Sequence, residues 1–243
     1  MSFFATLNED GSYDLTTAGY TVFVVLMVLC VILASSILNS KHRMDTRQLA
    51  FSAIAMALGM ITSFIKLLSM PMGGSVTLFS MLFITLIGYW FGLSAGLTTA
   101  IAYGILQILA GPYIISIPQL LTDYILAFGA LGLSGLFCGK KFICVNEKKN
   151  STYTISGLVP GYIIAVLCRL FFSTLSGVIF FGSYAPDNFP NPTVYSLVYN
   201  GSYMGLELLL TVIVISLPPV SSALERVKRL AVNEQEHTET VKA

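Results

Sequence analysis

The chain has 243 residues, of which 55% are hydrophobic and only 10% charged, with a formal net charge of +1 and a mean hydropathy of +0.80. A soluble domain carries about 25% charged residues, so this composition excludes one and points to an all-α polytopic membrane protein. The near-neutral balance, without a basic patch interleaved with aromatics, gives no nucleic-acid partner.

Residues 1–17 are polar and acidic (Glu9, Asp10, Asp14) and read as an external tail. An apolar run over 18–40 lacks the basic n-region of a signal peptide, so it reads as an additional N-terminal transmembrane helix. Six further spans follow over 47–69, 76–91, 93–110, 118–138, 153–182 and 194–217. Together they define a membrane domain over 41–218, with a charged tail over 219–243. Met70-Pro-Met-Gly-Gly-Ser75 breaks the first of the six from the second. Gly92 and Gly96 permit a close helix–helix approach, read here as local packing. If the Lys41–Arg47 loop is cytoplasmic, so are the 139–152 loop and the C-terminal tail. All Lys and Arg except Lys66 and Arg169 then lie inside. The N-terminus and the Pro/Gly-rich loops at 70–75, 111–117 and 183–193 share the outer face, as a lidded pocket open to the outside requires.

Polar groups inside the spans carry the functional signal. Asp123 is a carboxylate in an apolar helix, where it costs about 2.5–3.5 kcal/mol on insertion scales. Gln119 lies one turn earlier on the same face, and Tyr113 and Tyr124 flank the carboxylate. An anion, an amide and aromatic rings suit a small organic cation. The alternative is an ion pair of Asp123 with Arg169 or Lys66. For Arg169 the readings are snorkelling to the headgroups or a structural pair with Glu207. Asn200, Tyr203 and Glu207 share a face of the last span. Asn200 must satisfy both halves of its amide, on a pyrimidine-like ligand edge or across to another helix. Tyr195 fits a ligand contact or the interfacial aromatic belt, and Phe181 a ligand, lipid or core contact. No catalytic constellation is present: no Gly-x-Ser-x-Gly, His-Glu-x-x-His or Walker A sequence occurs. The four cysteines show no metal spacing, and His42 and His237 lie outside the spans, so neither a metal nor a cofactor is expected. Any ATP hydrolysis that drives transport must come from a partner.

Five segments in order resemble the thiamine-specific substrate-binding (S) component of energy-coupling factor transporters. They are Met70-Pro-Met-Gly-Gly-Ser-Val-Thr-Leu78, Gly111-Pro-Tyr113, Gln119-Leu-Leu-x-Asp-Tyr-x-Leu-Ala-Phe128, Gly182-Ser-Tyr-Ala-Pro186 and Tyr195-Ser-Leu-x-Tyr-Asn-Gly-Ser202. The likeness covers roughly 47–218, so the helix at 18–40 is extra to a six-helix S-component bundle. The resemblance implies a thiamine pocket near the outer face. It places Asp123 on the thiazolium side, Tyr113, Tyr124 and Tyr195 on the rings, and Asn200 on the pyrimidine. Gln119 and Phe181 complete the candidate ligand set, and Pro71, Gly73, Gly74 and Ser75 form the lid. It also implies high-affinity uptake with a transmembrane coupling (T) subunit and two ATPase subunits. A small-residue face at Ala53 and Ala57 would meet the coupling subunit, against the alternative of packing inside the bundle.

The pattern has departures. Some members have Glu at the Asp123 position, Trp at Phe181 and His at Ser173, and a lid Trp has no counterpart in Met70–Ser75. These leave room for a thiamine precursor such as the pyrimidine moiety. An ion-coupled secondary transporter using Asp123, Arg169 and Glu207 as a relay is the reading from another class, made weaker by the absence of a duplicated half.

Overall fold

The computed structural model describes residues 5–7, 13–19, 21–22, 25, 44–111, 113–146, 151–186 and 189–241. Most of the additional helix expected over 18–40 lies outside them. Six helices form a bundle: α1 (Thr46–Phe64), α2 (Ser80–Phe91), α3 (Leu93–Leu109), α4 (Ile117–Phe137), α5 (Leu158–Phe180) and α6 (Pro192–Ser216). A seventh, α7 (Pro218–Val241), follows a break at Leu217. Three short antiparallel pairs interrupt the helical pattern: β1 (Ala5–Leu7) with β2 (Tyr13–Leu15), β3 (Lys66–Ser69) with β4 (Ser75–Thr77), and β5 (Lys141–Asn146) with β6 (Ser151–Ser156).

The second and third of these pairs shorten three of the expected spans. The first helix ends at Phe64 because Lys66–Ser69 pairs back on Ser75–Thr77, with the turn at Pro71–Gly73. Gly73 takes φ +91°, a conformation that disfavours any side chain. The second helix therefore begins only at Ser80, and α5 begins at Leu158 because β6 occupies Ser151–Ser156.

Four helices, α1, α4, α5 and α6, are long and apolar enough to cross a membrane. With its 12 residues, α2 rises about 18 Å, well short of the ~30 Å hydrocarbon core. It is nonetheless the centre of the bundle: ten of its residues are buried, and it packs on α1, α3, α4 and α5. Stacked on its N-terminal end is the β3–β4 hairpin.

Sequence pattern explains the packing. Gln48, Ser52, Ala55 and Gly59 form the buried stripe of α1, and the hydroxyl of Tyr103 on α3 donates to the Gly59 carbonyl at 3.0 Å. Leu49, Ala53, Ile54, Ala57, Leu58 and Ile61 lie on the exposed face of the same helix. Helices α2, α3 and α4 meet through glycines. A Cβ on Gly132 would lie 2.5 Å from the Leu97 nitrogen, and one on Gly96 would lie 2.7 Å from the Gly132 carbonyl oxygen. Gly96 thus serves local packing, as its spacing suggests. On the far side, α7 docks against the ends of α1 and α2. Arg47 donates to the Leu230 carbonyl, the Tyr89 hydroxyl donates to Glu225 at 3.0 Å, and the Lys228 ammonium sits 3.9 Å above the Tyr89 ring.

Gly132→Ala is expected to destabilise the bundle by about 1–3 kcal/mol, because backbone rather than a flexible side chain fills the space. Gly201→Ala, where a new methyl meets nothing within 4 Å, is expected to be neutral or slightly stabilising. Thermal unfolding of the two variants in detergent checks the contrast.

Candidate functional site

A cavity of about 250 Å³ lies between the hairpin, the C-terminal end of α3, the first turns of α4, and α5 and α6. Asp123, Tyr124 and Gln119 reach it from α4, Tyr195 and Asn200 from α6, Phe181 from the end of α5 and Tyr113 from the loop before α4. All seven candidate ligand residues thus border one space. Of the hairpin residues, Gly73, Gly74 and Ser75 border it, while Pro71 contributes a carbonyl to the hairpin's attachment. Ala53 and Ala57 are exposed on the outer face of α1, not packed inside the bundle.

Helix α4 is built to present Asp123. Ser116 caps its start, accepting from the Gln119 N–H at 3.3 Å, and Pro118 occupies the first turn, where no N–H is needed. Leu121–Leu126 then widens into a π-helical turn. Such turns displace one peptide group and occur disproportionately at functional sites. Thr122 contributes by bonding back to the Pro118 carbonyl at 2.8 Å. Gly104 on α3 provides the room: a Cβ there would sit 2.0 Å from the Tyr124 carbonyl oxygen.

Gln119 orients the carboxylate. Its amide nitrogen donates to Asp123 Oδ2 at 2.6 Å and to the Tyr113 carbonyl at 3.2 Å, while its oxygen accepts from the Ile115 N–H at 3.1 Å. Both amide hydrogens are used within the protein, so Gln119 supports Asp123 and the Tyr113 loop, with its body on the cavity wall.

Asn200 has also found partners. Its amide nitrogen donates to the Ser196 carbonyl at 2.9 Å and across to the Ser173 carbonyl on α5 at 3.3 Å, and its oxygen accepts from the Tyr203 hydroxyl at 2.9 Å. Gly177 permits this contact, since a Cβ there would lie 2.0 Å from Ser196 Oγ. The expected shared face of Asn200, Tyr203 and Glu207 is present, and all three border the cavity.

Aromatic rings supply much of the remaining wall. Tyr113 packs on Phe181 with ring centroids 5.9 Å apart, and Tyr124 stacks on Phe128 at 6.1 Å. Tyr195, Tyr199 and Tyr203 form a row along α6 at 6.0 and 5.8 Å. Trp90 is remote from the cavity, packed edge-on to Phe51.

Two charged residues behave differently from their sequence readings. Arg169 faces the cavity with its guanidinium 4.0 Å above the Phe128 ring, and its Nε has no hydrogen-bond partner. It is a wall residue opposite in sign to Asp123, neither snorkelling nor paired with Glu207. Its position inside a span was the available signal. Glu207 is 3% exposed and engages the start of α2. Its Oε2 accepts from the Thr77 N–H at 2.9 Å and the Thr77 hydroxyl at 2.7 Å, and Oε1 from the Ser80 hydroxyl and the Met81 N–H at 3.4 Å each. Residue Phe79, at φ 60°, caps α2 without a side-chain bond of its own. A carboxylate four helices further along the chain therefore meets the free N–H groups and the positive end of the helix dipole. No spacing rule within 70–91 announces such a cap.

A partly open cavity lined by a carboxylate, a guanidinium and aromatic rings, set among helices long and apolar enough to cross a membrane, defines a polytopic membrane protein with a small-molecule-sized site. The chain belongs to the family described as Thiamine transporter protein (Thia_YuaJ), whose model matches residues 49–225. It is 40% identical over 151 residues to the thiamine transporter ThiT of Bacillus subtilis (strain 168), covering 62% of this chain and 77% of that one. The thiamine transporter ThiT of Lacticaseibacillus paracasei is 32% identical over 129 residues, 52% of this chain and 60% of its own length. The solved structure of ThiT from Listeria monocytogenes superposes with a TM-score of 0.59 at 28% identity, over 76% of this chain and 96% of that one. The family expected from the five sequence segments is the family found.

Replacing Glu207 by Leu strands the N–H groups of Thr77 and Met81, and is expected to lower stability by about 1–3 kcal/mol. Glu207→Gln, which keeps an oxygen for Thr77, loses less. Ligand-free thermal unfolding of the two variants measures the difference.

Proposed function

We propose that this chain is the high-affinity thiamine-binding S component of an energy-coupling factor uptake transporter. One observation carries the reading: Asp123, oriented by Gln119 on a π-helical turn, faces an aromatic-walled cavity in a chain of the thiamine transporter family. The relatives named above are described as thiamine transporters, and thiamine combines a permanent cation with an aminopyrimidine. Asp123 meets the thiazolium charge. Tyr113, Tyr124, Tyr195 and Phe181 supply faces on which the two rings stack. Asn200 and Arg169 lie where hydrogen bonds to the pyrimidine can form once their present contacts rearrange.

Thiamine enters from outside, where the N-terminus also lies, and the β3–β4 hairpin closes over it as a lid. The C-terminus is cytoplasmic. A transmembrane coupling subunit meets the exposed face of α1 at Ala53 and Ala57, and two ATPase subunits drive reorientation of the loaded S component. The chain itself carries no hydrolytic role.

Calorimetry of the purified chain in detergent tests the ligand. Wild type is expected to bind thiamine tightly, and Asp123→Asn to bind it about 10–100-fold more weakly, the size of a lost charge-assisted contact. Absence of thiamine binding by folded wild type would overturn the assignment. If the pyrimidine fragment alone competes as well as thiamine, the ligand is a precursor. Uptake by liposomes holding only this chain, driven by a proton or sodium gradient, would replace the S-component reading with ion-coupled transport.

A further inference from the structure

We propose that α6 controls the outer hairpin from two fixed points, with Tyr199 as a latch on its tip and Glu207 as a pin at its base, so that the cavity opens by a swing about Ser75–Thr77. The proposal rests on the reading of the hairpin as the lid of a thiamine site. It adds two residues of the cavity wall whose role is to position the hairpin.

The tip is a closed loop. The Met70 N–H donates to the Gly74 carbonyl at 2.8 Å, and the turn between them holds Pro71 and Gly73. The Tyr199 hydroxyl joins both arms of this loop to α6. It accepts from the Gly74 N–H at 3.0 Å and donates to the Pro71 carbonyl. Gly74 is the residue that lets the ring come so close. A Cβ at that position would lie 2.6 Å from the Tyr199 hydroxyl and 3.0 Å from the Tyr203 ring, pushing the tip away. The phenol oxygen thus holds the tip by one accepted and one donated bond, beside a contact of the Ser202 hydroxyl with the Met70 sulfur at 3.5 Å.

The base is held differently. Thr77 and Ser80 are buried, and Glu207 accepts four bonds there from two hydroxyls and two backbone N–H groups. Bonds to a carboxylate are about twice as strong as neutral ones, and in a buried place water does not compete. Tyr199 is only half-buried. Eight residues, a little over two helical turns, separate it from Glu207, so both face the hairpin. The tip therefore releases first and the base stays. Tyr199 packs on Tyr195, and both rings border the cavity, so a ligand there reaches the latch through either ring.

The test uses the full chain in detergent and the variant Tyr199→Phe, which removes one oxygen and keeps the ring. Hydrogen exchange is followed without ligand, and binding and release of radiolabelled thiamine by rapid filtration. The expected result is faster exchange confined to 70–74, with 77–81 and the unfolding midpoint as in wild type. Thiamine release should be about tenfold faster, while association changes by less than about twofold. Glu207→Gln should instead raise exchange at 77–81. Val198→Ala, on the exposed side of α6, serves as control and should change nothing. Wild-type exchange at 70–74 in Tyr199→Phe would overturn the latch, as would a rise spread over the whole bundle, which marks general destabilisation. If wild type binds no thiamine, the functional assignment falls and the exchange pattern alone decides the latch.

Discussion

A carboxylate on an apolar helix is stable only where something meets its charge or its hydrogen-bonding capacity. Two such groups shape this protein, and the structure treats them in opposite ways. Glu207 is engaged by the fold: four donors from Thr77, Ser80 and Met81, at the end of β4 and the start of α2, converge on it. Asp123 is held by Gln119 at 2.6 Å and otherwise faces a cavity walled by aromatic rings. One carboxylate completes the fold and the other is kept available. The difference separates a carboxylate that caps a helix from one left facing a cavity, and much of the hairpin end of the bundle follows from it.

The short α2 makes that half possible. By stopping about 18 Å along, it leaves depth for a hairpin where a full helix would otherwise continue. A hairpin at that depth exposes backbone groups, and α6 meets them with Tyr199 and Glu207. Away from the hairpin, glycines at 96 and 132 bring α3 and α4 into close backbone contact. Gly104 does the same near the cavity but serves another end, since it admits the displaced peptide of the π turn that carries Asp123. Small residues thus set where the bundle is closed and where it is open.

Much of this was legible in the sequence, for physical reasons. The cost of an ionised group in hydrocarbon pointed to Asp123, and helical spacing put Asn200, Tyr203 and Glu207 on one face. Both inferences use local rules: Asp123 lies on the cavity wall, and the three residues of α6 share a face that borders it. What escaped was non-local. The β3–β4 pairing replaces the end of one apolar run and the start of the next, because Pro and Gly at 71–74 turn the chain back on itself. The role of Glu207 depends on where Phe79 leaves α2 uncapped, 128 residues earlier. Arg169 read as a headgroup anchor or a partner of Glu207, yet it lies over Phe128 beside the cavity. The π turn has no composition signal apart from Thr122, whose back-bond resembles that of any helical threonine.

The claim at the centre of this account is that Asp123 recognises a positive charge on the ligand. The most direct measurement compares wild-type affinity for thiamine with that for a neutral isostere, in which an uncharged aromatic ring replaces the thiazolium. Shape and stacking area are then held constant while the charge changes. The account predicts that the neutral compound binds at least about tenfold more weakly, and that Asp123→Asn removes the preference. Equal affinity of wild type for the two compounds would contradict it and leave the aromatic walls as the source of binding.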